Sequence, residues 1–139
     1  MVKLRQEDIK TKEVLSWKGI HLFHFTFSAC SMKTRIFMGL KNIDYTGHHI
    51  NLQKKENFSP YFQGITPRSL VPVLVDDGEV HIESNDILKY LDNKFPTLSL
   101  IPKDKEEEID RMMIEENDLH LDIRNCLLYT SDAADECHS

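Results

Sequence analysis

The chain predicts an α/β fold, a mixed four-stranded sheet with helices on both faces in the order β-α-β-α-β-β-α. Three observations carry this expectation. Two short apolar runs, residues 20–25 and 70–75, are bounded by turn-forming residues as buried strands are. Between and after them, apolar residues recur at helical spacing. Asp77-Gly78 then joins the second run to a further short strand with hairpin chemistry.

Taken in order, residues 1–19 mix Lys, Arg, Glu and Asp and read as a charged N-terminal extension without the apolar core of a signal peptide. The aromatic-rich run 20–25 is a buried strand that ends in the small polar loop 26–31. Met32, Ile36, Phe37 and Leu40 follow at spacings of four, one and three, which puts them on one helical face expected to cover the sheet. Residues 44–52, with Tyr45, His48, His49 and Ile50, read as extended. Phe58, Tyr61 and Phe62 mark a short or irregular second helix. The run 70–75 contains Pro72, which removes a ladder donor from an apparent central strand; a cis peptide at a sheet edge would reconcile the two. After the turn at 76–78 comes the strand 79–82. Ser84 is placed to cap the next helix, with Asn85 and Asp86 in its first turn and Ile87, Leu88, Leu91 and Phe95 at helical spacing, and Pro96 stops it. The strand and helix domain is thus expected to span residues 20–96. Residues 97–104, with Pro102, read as a linker to a charged helix at 105–125, whose Ile109, Met112, Met113, Leu119 and Ile123 share one apolar face.

With 139 residues and a hydrophobic fraction of 40%, the chain suits one ordinary domain with a core. A formal charge of -6 and no clustered basic face argue against nucleic acid. No run approaches the ~20 apolar residues of a membrane span, so a soluble, cytoplasmic protein is expected. Three cysteines, Cys30, Cys126 and Cys137, are too few and too irregular for a disulfide framework. There is no internal repeat and no low-complexity tract.

Three places carry candidate chemistry. Ser28 and Cys30 lie on the turn between a buried strand and a helix N-terminus, where free N–H groups and the helix dipole stabilise an oxyanion or a thiolate. Either side chain could work there, or Ser28 or Ser31 could simply cap the helix and Cys30 pack as a small apolar residue. Val71-Pro72 heads a strand where proline is normally disfavoured. Glu83-Ser84 opens a helix that could receive a carboxylate, although an ordinary cap fits equally well. His48-His49 lacks further residues at ligand spacing, so no metal is expected. Asn57-Phe58-Ser59 matches a glycosylation acceptor with no relevance to a cytosolic chain. Glu116 and His120, one turn apart, read as a mutually satisfied pair.

Three motifs together, Ser28-Ala29-Cys30-Ser31-Met32-Lys33-Thr34-Arg35, Thr66-Pro67-Arg68-Ser69-Leu70-Val71-Pro72-Val73-Leu74 and Glu83-Ser84-Asn85-Asp86-Ile87-Leu88-Lys89-Tyr90-Leu91, resemble the N-terminal, thioredoxin-like domain of glutathione transferases. The resemblance runs from about residue 20 to 102 and is nearest to the serine-type, zeta and theta-like classes. It implies glutathione as co-substrate, with Ser28 holding the sulfur as thiolate, the Val71 backbone meeting the cysteinyl part, Pro72 as a cis proline, Glu83 binding the γ-glutamyl amino group and Ser84 its carboxylate. Arg35 and Asp86 would serve structure. The implied activity is a detoxifying conjugation of glutathione to a small electrophile by a homodimer. Ala29-Cys30-Ser31 also resembles the turn of cysteine-type enzymes, where Cys30 would form a mixed disulfide and transfer thiols. A third possibility is a non-catalytic assembly module on the same fold.

Residues 126–136, Cys-Leu-Leu-Tyr-Thr-Ser-Asp-Ala-Ala-Asp-Glu, break the helical pattern and resemble a translated sequencing-library adapter. The native sequence is therefore expected to continue differently beyond Asn125 as an all-helical domain, of which residues 105–125 are the first helix. Residues 126–139 are expected to be poorly packed.

Overall fold

A computed structural model describes the backbone of residues 2–137 and the side chains of residues 2–123. The chain divides into two compact units, Met1–Ser99 and Leu100–Ser139. In the first, strands β1 (Ile20–His24), β2 (Thr46–His49), β3 (Val73–Asp76) and β4 (Glu79–His81) form one sheet in the order β2-β1-β3-β4. The pair β1–β2 is parallel, while β1–β3 and β3–β4 are antiparallel, so the sheet is mixed as expected. Helices α1 (Ala29–Leu40), α2 (Pro60–Gln63) and α3 (Ser84–Lys94) complete the order β-α-β-α-β-β-α of a thioredoxin-like fold.

Alternation along the strands sorts the core into two layers. Phe23, Val73, Val75 and Val80 pack with Phe62 of α2 and with Ile9, Val14 and Ile65. The opposite face carries α3, whose Tyr90 donates to buried Asp76 of β3 and stacks on His81 of β4 at 4.0 Å. In the β3–β4 hairpin, Asp77 and Gly78 both have positive φ, 46° and 82°, the pairing of a type I′ turn. A Cβ on Gly78 would also lie 2.2 Å from the Leu15 carbonyl oxygen, so glycine is required there twice over.

Several expectations need correction. Three of the four α1 residues assigned to the sheet point away from it: Met32, Ile36 and Leu40 are 42%, 62% and 61% exposed. Phe37 is buried as expected, and Ser31, Thr34 and Met38 are buried in place of the other three. The two hydroxyl groups are admitted because backbone satisfies them. Ser31 Oγ accepts from the Phe25 N–H at 3.3 Å, and Thr34 donates to the Cys30 carbonyl at 3.0 Å. Ser84 is the first residue of α3 and does not cap it; Glu83 takes the cap position at φ 69°, ψ 113°, with no side-chain cap bond. The chain turns sharply there out of β4, which carries Ser84 inside the helix.

Residues 1–19 are not a detached extension. Ile9 and Val14 are fully buried, Leu4 N–H donates to the Val80 carbonyl, and Ile82 N–H donates to that of Val2, so the segment lines β4 and closes the core. Its few apolar residues, spaced among charges, do this work. Pro72 raises no conflict with the ladder, because β3 begins one residue after it; β3 is an inner strand and the Val71–Pro72 bond is cis.

In the second unit, helix α4 spans Glu106–Cys137, continuing as helix through the point where the apolar pattern changes. Residues 126–137 contain neither Pro nor Gly, so nothing local stops a helix. The expected poor packing of residues 126–139 concerns side chains outside the described residues. Met112, Leu119 and Ile123 on the apolar face of α4 are exposed. Among the described residues, no helix is long and apolar enough to cross a membrane.

Candidate functional site

Strand register decides what meets at the end of the sheet. Phe23, near the end of β1, pairs with Val73, the first residue of β3, and Leu74 pairs with His81, the last of β4. Helix α1 leaves the end of β1 and helix α3 leaves the end of β4, so both start where the chain enters β3. The two helices run parallel. Lys33 Nζ donates to Asn85 Oδ1 at 2.8 Å near their N-termini, and Lys41 donates to Asp92 at 2.7 Å further along. The N-termini of α1 and α3 and the Val71-Pro72 segment thus gather at one end of the sheet. Two helix dipoles direct their positive ends there.

Ser28 caps α1. Its Oγ accepts from the Ser31 N–H at 3.2 Å, and its own carbonyl accepts from Met32 N–H at 2.8 Å. The cap bond uses one lone pair of the hydroxyl and leaves its proton free to be donated. Cys30, two residues on in the first turn, is partly exposed and outside any disulfide. Arg35 donates through Nη2 to the Thr26 carbonyl at 3.2 Å, which ties the loop before Ser28 to the second turn of α1. Phe27, 74% exposed, stands at the rim with its ring 5.7 Å from that of Phe25.

On the other side, Glu83 forms an ion pair with Arg68, a residue that sequence reading passed over inside a quoted motif. The loop bearing Arg68 is fixed from below. Ser69 has φ 55°, and its carbonyl accepts from Asn57 Nδ2 at 3.1 Å. Asn57, the residue in a glycosylation pattern, is therefore a buried structural side chain. Pro72 is buried, while Val71, Glu83 and Ser84 are partly exposed.

The neighbouring histidines take opposite faces of edge strand β2. His48 Nε2 lies 2.9 Å from His21 Nδ1, and its ring stacks on Trp17 at 4.7 Å. His49 stands beside His24 and Phe25. Burial first, and then the charge of Arg35, hold His24 below the usual imidazole range; burial followed by His21 does the same to His48. Among the described residues no group of three or more His, Cys, Asp or Glu could hold a metal ion. Glu116 and His120 belong to the second unit.

Residues 22–103 match the family described as glutathione S-transferase, N-terminal domain. The chain is 40% identical over 85 residues to a zeta class glutathione S-transferase of Euphorbia esula, covering 61% of this chain and 38% of that protein. It is 35% identical over 97 residues to maleylacetoacetate isomerase of Mus musculus, covering 68% and 45%. Among solved structures it resembles maleyl pyruvate isomerase, a bacterial glutathione S-transferase in zeta class, at 30% identity and TM-score 0.62 over 66% of this chain and 44% of that one. A glutathione transferase homologue from Drosophila mojavensis with bound glutathione is similar at 26% identity and TM-score 0.69, over 73% and 48%. The chain spans less than half the length of these relatives.

Proposed function

The chain belongs to the glutathione S-transferase family, and we propose that it is the glutathione-binding part of a zeta-type enzyme in which Ser28 holds the glutathione sulfur as a thiolate. The observation that carries this reading is the convergence of two helix N-termini with the Val71-Pro72 segment. Glutathione presents anions where those helices present N–H groups. In this arrangement Ser28 donates its free proton to the sulfur, and the backbone of Val71, ahead of Pro72, meets the cysteinyl unit. Ser84 offers its N–H and hydroxyl to the γ-glutamyl carboxylate, and Glu83 accepts from the ammonium beside it.

A thiolate so held attacks electron-poor carbon. With a leaving group on that carbon, a C–S bond forms, the leaving group departs with its electron pair, and a conjugate results. With a cis double bond conjugated to a carbonyl, addition moves the π electrons onto the carbonyl oxygen as an enolate. Rotation about the new single bond and expulsion of the thiolate then give the trans isomer and return glutathione unconsumed. The names of the relatives, maleylacetoacetate and maleylpyruvate isomerase, favour the second course for this chain.

Cys30 supports a second reading, because it is partly exposed in the first turn of α1, two residues from Ser28. Its thiolate would attack a glutathione mixed disulfide, releasing the partner thiol and leaving glutathione on Cys30; a second glutathione would then displace it as oxidised glutathione.

Paired variants separate the two. Under the serine reading, Ser28→Ala removes a hydrogen bond to an anion worth on the order of 1.5 to 3 kcal/mol, activity falls roughly 10 to 100-fold, and the thiol pKa of bound glutathione rises. Cys30→Ser leaves activity nearly intact. Full activity in Ser28→Ala beside a dead Cys30→Ser, with glutathione found on Cys30 by mass spectrometry, would transfer the role to the cysteine. These variants are compared in the protein with its native continuation beyond Asn125, where failure of the wild type to bind glutathione would favour the assembly module.

A further inference from the structure

Resting on the glutathione reading, we infer that Arg68 is a positioning residue that holds Glu83 away from the N-terminus of α3 and so keeps that terminus open to a ligand carboxylate. A carboxylate at the start of a helix is attracted by the N–H groups of the first turn and by the positive end of the helix dipole. Glu83 occupies that position on α3 and makes no such bond. Its carboxylate is instead engaged through Oε1 by the Arg68 guanidinium, at side-chain exposures of 38% and 53%. Arg68 approaches from the loop before β3, whose path is set by buried Asn57 and Ser69, so the direction of the pull is built into the fold. Without it, Glu83 would compete intramolecularly for the N–H groups of α3. With it, Glu83 is drawn off those groups, and its second oxygen can accept from an ammonium.

Two ligands divide these effects: glutathione, and its analogue glutaryl-cysteinylglycine, which keeps the carboxylate but lacks the ammonium. Calorimetric titration of the full chain should show Arg68→Gln weakening both ligands roughly two- to fivefold, the scale of one exposed charge contact, with Arg68→Lys restoring most of the loss. In the double variant Arg68→Gln/Glu83→Ala the competitor is gone, so the analogue should return to its wild-type affinity while glutathione, now without its ammonium partner, stays weak. A merely structural Arg68 would leave the analogue weak in the double variant. That result, or unchanged binding in Arg68→Gln, overturns the inference while leaving the glutathione reading standing. Wild-type chain that binds glutathione but not the analogue overturns it too. Wild-type chain that binds neither overturns both.

Discussion

His81 shows how far a single side chain can be shaped by its surroundings. It is fully buried against Tyr90, and neither ring nitrogen makes a hydrogen bond; the Glu79 carboxylate stands 3.6 Å from Nε2, beyond bonding range. Burial, more than any neighbour, holds its pKa below the ordinary 6.5, and the same cause acts on His24 and His48. A base whose folded pKa lies below its unfolded one is charged first in the unfolded chain. Stability from these residues is therefore complete above about pH 6.5 and declines as pH falls below it. Thermal melts should show a falling Tm between about pH 7 and pH 5, and His81→Leu should flatten part of that fall. An acid limb unchanged in His81→Leu would remove His81 from the account. The same scale holds what was hardest to read in the chain alone: Arg68 and Glu83 carry no local sign of pairing.

Helix α1 is the element where periodicity misled. Its apolar residues at 32, 36 and 40 and its buried residues at 31, 34 and 38 stand on opposite sides of the cylinder, since each residue advances about 100°. Hydropathy selected the first set together with Phe37, of which only Phe37 is buried. The second won because Ser31 and Thr34 bring hydroxyls already satisfied by backbone, which removes the cost of burying them. Met38→Ala should accordingly cost about 2 to 5 kcal/mol in urea unfolding, whereas Ile36→Lys should stay within roughly 0.5 kcal/mol. Equal costs would restore the original face. The start of α1, by contrast, was legible from Ser28, because capping chemistry is local, whereas at α3 the expected cap Ser84 lies one residue inside the helix.

Across the whole of the first unit, the N-terminal segment has the largest effect for its length. Ile9 and Val14 are completely enclosed, and the backbone of residues 10 and 11 donates to the Gly64 carbonyl at 2.7 and 3.1 Å. Deleting residues 1–12 removes Ile9 and the strand-like contacts to β4, a loss on the order of 3 to 5 kcal/mol. That is a large part of a small domain's stability. Trp17, the single tryptophan, lies against His21 and stacks on His48, and it provides a fluorescence signal for the unfolding curve. An unchanged midpoint would mean the segment is ornamental. Residue order alone was enough for the strands and the hairpin turn, since each depends on neighbours within one or two turns of chain. The parallel course of α1 and α3, the inward side of α1, the closure of the core by residues 1–19 and the Arg68–Glu83 pair were settled only in three dimensions. Each depends on strand register or on backbone bonds between segments far apart in sequence, and the free energy of such contacts exists only once the sheet has brought them together.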